Sequence, residues 1–239
     1  MTPSPVDSSA LAEIARATAA VQATVASASG AELAEPSVLP DWSRAHVVAH
    51  LGLNAAGMIR LFEGLAKGQV LPFYDSVEKR NADIEAWAAL PAADLRARFN
   101  DAADGWEPAV LGVPADGWQT AVERVPGQPF GSALRFITTR HREVEIHHCD
   151  LDLGYPPAAW PESFVISLLD STSLDRAAGP GMLLEPDDID QHWLIGPSSD
   201  VPTVRGHAAA IAWWLIGRGD GSDLRSDADG GLPTIGAWV

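Results

Sequence analysis

The chain has 239 residues, with 32 aspartates and glutamates against 16 lysines and arginines, a formal charge of −16. That balance argues against a nucleic-acid binder, which needs a basic footprint to displace counterions, and against a polybasic membrane-surface protein. An anionic ligand stays compatible, because a pocket can be locally positive inside an acidic shell.

The first two-thirds of the chain predicts helices. Residues 7–30 are alanine-rich, with Asp7 or Ser8 as N-cap. A second helix is expected from Trp42 to Ala66, capped by Asp41 or Ser43, a third from Ser76 to Leu90, and a weaker fourth over 92–111. β-Branched content suggests an extended piece from Trp118 to Val125, followed by a turn at Pro126, Gly127 and Pro129. A strong helix is expected from Phe130 to Leu153, stopped by Gly154, Pro156 and Pro157. The character then changes. A helix over 161–178 precedes short apolar strands near 182–185, 192–196 and 201–205, a helix over 206–217, and a last strand near Thr234 to Val239. The expected architecture is α+β, a helical bundle over residues 1–156 and a small α+β domain over 157–239.

The single cysteine, Cys149, excludes an internal disulfide. No basic start and apolar run marks a signal peptide at Met1–Ser9, and no stretch approaches the ~18–20 apolar residues of a membrane span. A cytoplasmic protein without membrane partners is expected.

The seven histidines carry the chemistry. His46 and His50, and Glu143 and His147, are i, i+4 pairs, one turn apart on two helices, and bundle metal sites draw ligands from facing helices in this way. At ~100° per residue, His50 lies at the edge of the apolar stripe of its helix and His46 falls about 40° outside it. On the other helix Glu143 and His147 share a face with Phe136, Leu151 and Val144, and Glu145 points to the opposite side. His50, Glu143 and His147 therefore form a candidate set for zinc, two imidazoles and a carboxylate that leave positions open for water or substrate. Against this stands the surface Glu–His pair, which is commonplace on helices. His141 and His148 read as packing or hydrogen-bonding residues, and Cys149 as a small core residue. Nucleophile-elbow, dinucleotide-binding and P-loop motifs do not occur.

Three segments resemble one family. Leu39-Pro-Asp-Trp-Ser-Arg-Ala-His-Val-Val-Ala-His50 with Asn54, then Tyr74 with Arg80-Asn81, then Arg140-His-Arg-Glu-Val-Glu-Ile-His147-His-Cys-Asp150 are similar to the mycothiol-dependent maleylpyruvate isomerases, part of the DinB-like superfamily. Gly206 to Trp214 with Gly217-Arg218-Gly219 resembles the closing helix and turn of that family. The resemblance implies a DinB-like metal-binding four-helix bundle with a smaller α/β C-terminal domain. It places the metal ligands on His50, Glu143 and His147, an important arginine on Arg218, and mycothiol as thiol cofactor with Zn²⁺ as the metal. His148-Cys149 and the bulky Trp213-Trp214 depart from the pattern and bear on the substrate more than on the metal. The implied activity is conversion of maleylpyruvate to fumarylpyruvate, with Arg218 and Arg80 supplying charge-assisted bonds to an anionic or electrophilic substrate. Arg80 can equally be a surface ion pair, and Arg218 a helix C-terminal cap. A mycothiol S-transferase and a non-catalytic metal-binding regulatory module remain open alternatives. A monomer is expected. A dianionic substrate on so acidic a chain demands a locally positive cleft between the domains, faced by the metal and Arg218.

Overall fold

A computed structural model describes residues 5–198 and 200–236. The chain divides into two compact units, Met1–Gly154 and Tyr155–Val239. In the first, α1 (Ser8–Ser27) begins at Asp7, whose carboxylate accepts the Ser9 N–H at 2.9 Å. The single helix expected over 7–30 breaks. Ala28 turns extended, and α2 (Gly30–Ala34) starts afresh from Ser29, which accepts from the Glu32 N–H while the Glu32 carboxylate accepts from the Ser29 N–H. This reciprocal cap satisfies two otherwise orphaned donors and outweighs the helical propensity of the alanines around it.

The next helix, α3 (Arg44–Ala66), is capped by Ser43, and the His46 ring returns the bond by accepting the Ser43 N–H at 3.2 Å. It is followed by α4 (Val77–Ala88) and by α5 (Ala92–Leu111), which enters through Pro91. A hairpin of β1 (Ala121–Val125) and β2 (Gln128–Ser132) leads into α6 (Arg135–Asp150). The helix expected from Phe130 thus begins five residues later. Gly131, at φ +121°, lies opposite Val122 in the hairpin, and the ladder bonds of this pairing capture residues that local propensity leaves undecided.

α3 packs on α5, α4 and α6, and α1 packs on α6 and α5. The four-helix bundle is therefore α1, α3, α5 and α6, with α4 laid against α3. Val47, Val48, Leu51, Met58, Leu61 and Phe62 give α3 a fully buried stripe. Their burial, at roughly 1.5–3 kcal/mol for each larger side chain, fixes the rotation of α3 about its axis and so the direction in which His50 points. At one end of the bundle Phe136 lies against Phe62, Phe73 and Phe130, with ring centroids 6.4, 4.9 and 4.5 Å away.

The second unit contains α7 (Glu162–Asp175), β3 (Met182–Pro186), β4 (Trp193–Ile195), β5 (Thr203–Gly206), α8 (Ala208–Leu215) and β6 (Arg225–Ser226). The sheet order is β4-β3-β5-β6, with β3 parallel to β5 and the other pairs antiparallel. The last strand expected from Thr234 lies partly outside the described residues. Residues 234–236 are irregular, and the strand beside β5 is β6. Among the described residues no helix is long and apolar enough to cross a membrane.

Phe136→Ala is expected to destabilise the bundle by about 3–5 kcal/mol, because three neighbouring rings cannot collapse together into the space it leaves. Urea unfolding followed by circular dichroism measures this, and a loss below about 1 kcal/mol would contradict the packing described.

Candidate metal centre

The donor set is assembled from two helices. α3 supplies His50, which is only 5% exposed, and α6 supplies Glu143 and His147 one turn apart. Glu143 Oε2 lies 2.8 Å from His50 Nε2 and 3.3 Å from His147 Nε2. One donor atom from each of the three residues falls within 4.8 Å of the others. The two imidazoles stand nearly perpendicular, with centroids 4.6 Å apart.

Two sets of bonds hold these helices in register. Beyond the triad, the Arg140 guanidinium reaches across from α6 to the Leu51 carbonyl at 3.2 Å and to Asn54 Oδ1 at 3.1 Å on α3. At the other end, Arg44 Nε donates to the Leu151 carbonyl at 2.7 Å, and the Val38 N–H donates to the Asp150 carbonyl at 2.9 Å. The Trp42 ring closes the side next to His50, at a centroid distance of 5.7 Å.

The flanking bonds decide how each ring presents its nitrogens. His147 Nδ1 lies 2.8 Å from Asp150 Oδ2, and Asp150 is fully buried at the end of α6. The carboxylate accepts the Nδ1–H, and Nε2 faces Glu143, where loss of its proton exposes the lone pair that a metal-ligating histidine uses. Arg80 Nη2 donates to His50 Nδ1 at 3.2 Å. Burial disfavours the charged His147 ring, yet the bonds to Asp150 and Glu143 outweigh it and push its pKa up to about 9. For His50, burial outweighs the attraction of Glu143 and lowers the pKa. Burial alone would raise Glu143, but the charge of His50 and the hydrogen bonds from His147 and His50 hold it well below the usual carboxylate range. The result is a carboxylate and two imidazole nitrogens converging on one point, a donor set that fits a tetrahedral or five-coordinate divalent ion such as Zn²⁺.

The remaining sequence candidates separate. Arg80 sits beside the triad through His50. Arg218 lies in the second unit, half-buried just after α8, where its N–H bonds to the Trp213 carbonyl at 3.1 Å. His46 is at the rim, 3.2 Å from Glu85. His148 donates to or accepts from Thr24 of α1 at 2.7 Å. Glu145, which helical phase turned away from the apolar arc, is only 2% exposed. α6 is covered on both sides, by α3 and by α1, so its second face is interior as well. Asp150, Trp42, Tyr74 and the Arg140–Asn54 pair carry parts that sequence reasoning did not assign. For Asp150 the signal was present, an acid three residues after a candidate ligand histidine.

Fold and site together define a class, the helix bundles that present two histidines and a carboxylate from facing helices. The model of the mycothiol maleylpyruvate isomerase N-terminal domain matches residues 14–152. The chain belongs to that family. Its structure is similar to the crystal structure of the mycothiol-dependent maleylpyruvate isomerase, at TM-score 0.86 and 26% identity, over 96% of both chains. A variant of that enzyme with one histidine replaced by alanine matches at TM-score 0.86 and 25% identity, with the same coverage. No curated protein sequence matches the chain.

Metal and protons compete for the same lone pairs. His147, with its pKa near 9, carries an extra proton at neutral pH in the ion-free protein. Zinc uptake at pH 7 is therefore expected to release about one proton from this ring, and apparent affinity should climb as pH rises toward 9 and then level off. Calorimetric titration in two buffers of different ionisation enthalpy counts the protons, and zero release refutes the assignment. Asp150→Ala should weaken zinc binding by about 10–100-fold, since the ring loses its orienting partner.

Proposed function

We propose that this chain is a mycothiol-dependent cis–trans isomerase that converts maleylpyruvate to fumarylpyruvate. The observation that carries the reading is the convergence of His50, Glu143 and His147 inside a bundle of this family. The three residues are assigned to hold a divalent ion, with Zn²⁺ as the expected metal. When bound, such an ion supplies the Lewis-acid charge that keeps an incoming thiol ionised, and the thiolate is the nucleophile.

The chain's own residues supply the rest. Asp150 holds His147 in the tautomer that leaves Nε2 available. When His50 Nε2 serves as a donor, its ring proton resides on Nδ1, which no longer accepts from Arg80. Nη2 of the guanidinium is then released to meet an anion, while Nη1 keeps its bond to Asn81. In the substrate the cis double bond is conjugated to a carbonyl, so thiolate addition leaves a rotatable single bond and places negative charge on oxygen. Arg80 binds this charge and the carboxylates through charge-assisted bonds, and Arg218 is a further candidate for anion binding. Trp42 shields His50 from water, which strengthens each of these interactions.

Incubation with maleylpyruvate and mycothiol, followed by chromatography, tests the reading. Fumarylpyruvate is expected, and it should disappear when mycothiol is omitted. Arg218→Ala should lower kcat/KM by at least about 10²-fold, and His50→Ala should abolish both metal retention and turnover. A stable thiol adduct in place of fumarylpyruvate would make the chain an S-transferase. Activity that survives complete removal of metal would remove the ion from the mechanism.

A further inference from the structure

Tyr74 is idle in the scheme above, although its position is tightly determined. It lies between α3 and α4, where the Tyr74 N–H donates to the Arg124 carbonyl at 2.8 Å and the Phe73 N–H to the Glu123 carbonyl at 2.9 Å. These bonds pin the segment to β1. The ring packs against Phe73, with centroids 4.0 Å apart. The Arg80 guanidinium lies 5.6 Å from the ring centre. The same guanidinium reaches His50 at 3.2 Å. The phenol also feels the charge of Glu143. Tyr74 is half-buried and lines a pocket of about 190 Å³ on the bundle unit, together with Arg80 and with two ion pairs, Arg60 with Asp75 and Lys79 with Asp83. The Tyr74 side chain thus lines a pocket next to Arg80, one residue removed from the donor triad.

We propose that Tyr74 is a catalytic residue, whose O–H, next to Arg80, donates a hydrogen bond to the substrate oxygen on which charge collects when the thiolate adds. This rests on the isomerase reading and completes it. The chemistry asks for such a group. A C–S bond forms as the C=C π pair shifts, through the conjugated system, onto the carbonyl oxygen. After rotation the pair returns, the C=C bond re-forms in the trans geometry and the C–S bond breaks, releasing the thiolate. No proton is gained or lost in the cycle, so the oxygen needs a donor that keeps its proton. Tyr74 meets that condition, because burial, and then the negative charge of Glu143, push its pKa up to about 12. A phenol beside a guanidinium is also a fixed pair of donors that needs no reorganisation when the charge appears.

Tyr74→Phe keeps the ring packing and removes only the donor. With metal-loaded full-length protein, maleylpyruvate and mycothiol, kcat is expected to fall by about 10²–10³-fold. KM for either compound should change by less than about threefold, since the bond strengthens only as charge develops. Zinc content and thermal midpoint should match the parent. If kcat stays within about twofold of the parent, the Tyr74 assignment is wrong. If zinc is lost along with kcat, Tyr74 supports the triad and does not touch substrate, which also overturns the proposal. An inactive parent would sink the isomerase reading and this assignment together, whereas an active parent with an active Phe variant sinks the Tyr74 assignment alone.

Discussion

The bundle is organised around one carboxylate. Glu143 lies between two imidazoles that come from different helices, 2.8 Å from one and 3.3 Å from the other. A buried carboxylate without partners would be driven to its neutral form. Here it stays charged because donors face it, and those donors keep their geometry because of what stands behind them. Asp150 orients His147, and Arg80 contacts the far nitrogen of His50. Removing any one member leaves another buried charge uncompensated, which is a larger cost than the net worth of the pair.

That constraint explains the bonds between α3 and α6. The donor set converges only if the two helices keep their axial register, and apolar packing alone sets register loosely. Arg140 on one side, and Arg44 with the Val38 N–H on the other, tie the helices together above and below the triad. Arg140 is only 1% exposed, and burial lowers its pKa to about 10, with Glu143 opposing the shift. So deeply buried a guanidinium adds a standing positive charge to the interior. The chain carries a net charge of −16, yet Arg80 and Arg140 are concentrated beside the donor set. Net charge acts at long range and is screened within about 8–10 Å at ordinary ionic strength. A local group of cations can therefore face a site whatever the sign of the whole.

Much of the first unit was legible in the sequence because its signals are local. Ser43 and Asp7 mark helix starts through their own side chains, and Gly154 with the prolines after it marks a stop. The one-turn spacing of Glu143 and His147 puts both on one face of any helix that contains them. The misread elements were those where a distant partner decides. Residues 130–134 favour neither state strongly, and pairing with β1 settles them outside α6. The break at Ala28 was a missed local signal, since the Ser29 to Glu32 cap is written in the chain. Glu145 was placed on the side opposite the apolar arc by a phase argument that assumes one buried face. α6 has two, because α1 covers the side that α3 leaves open.

Sequence by itself determined the helical bundle, the α+β character of the second unit, and the three residue types that suit a divalent ion. These follow from periodicity, capping and spacing, properties that one segment carries alone. Only the tertiary structure decided that His50 on α3 meets Glu143 and His147 on α6, 93 positions away at the nearest pair. It also decided that Asp150 aligns one ring, that Arg80 reaches the other, and that Tyr74 opens beside them. Such convergence depends on how the helices are rotated and tied against one another. The burial of apolar stripes and the cross-helix bonds of Arg44 and Arg140 set those rotations jointly, and no single segment encodes them.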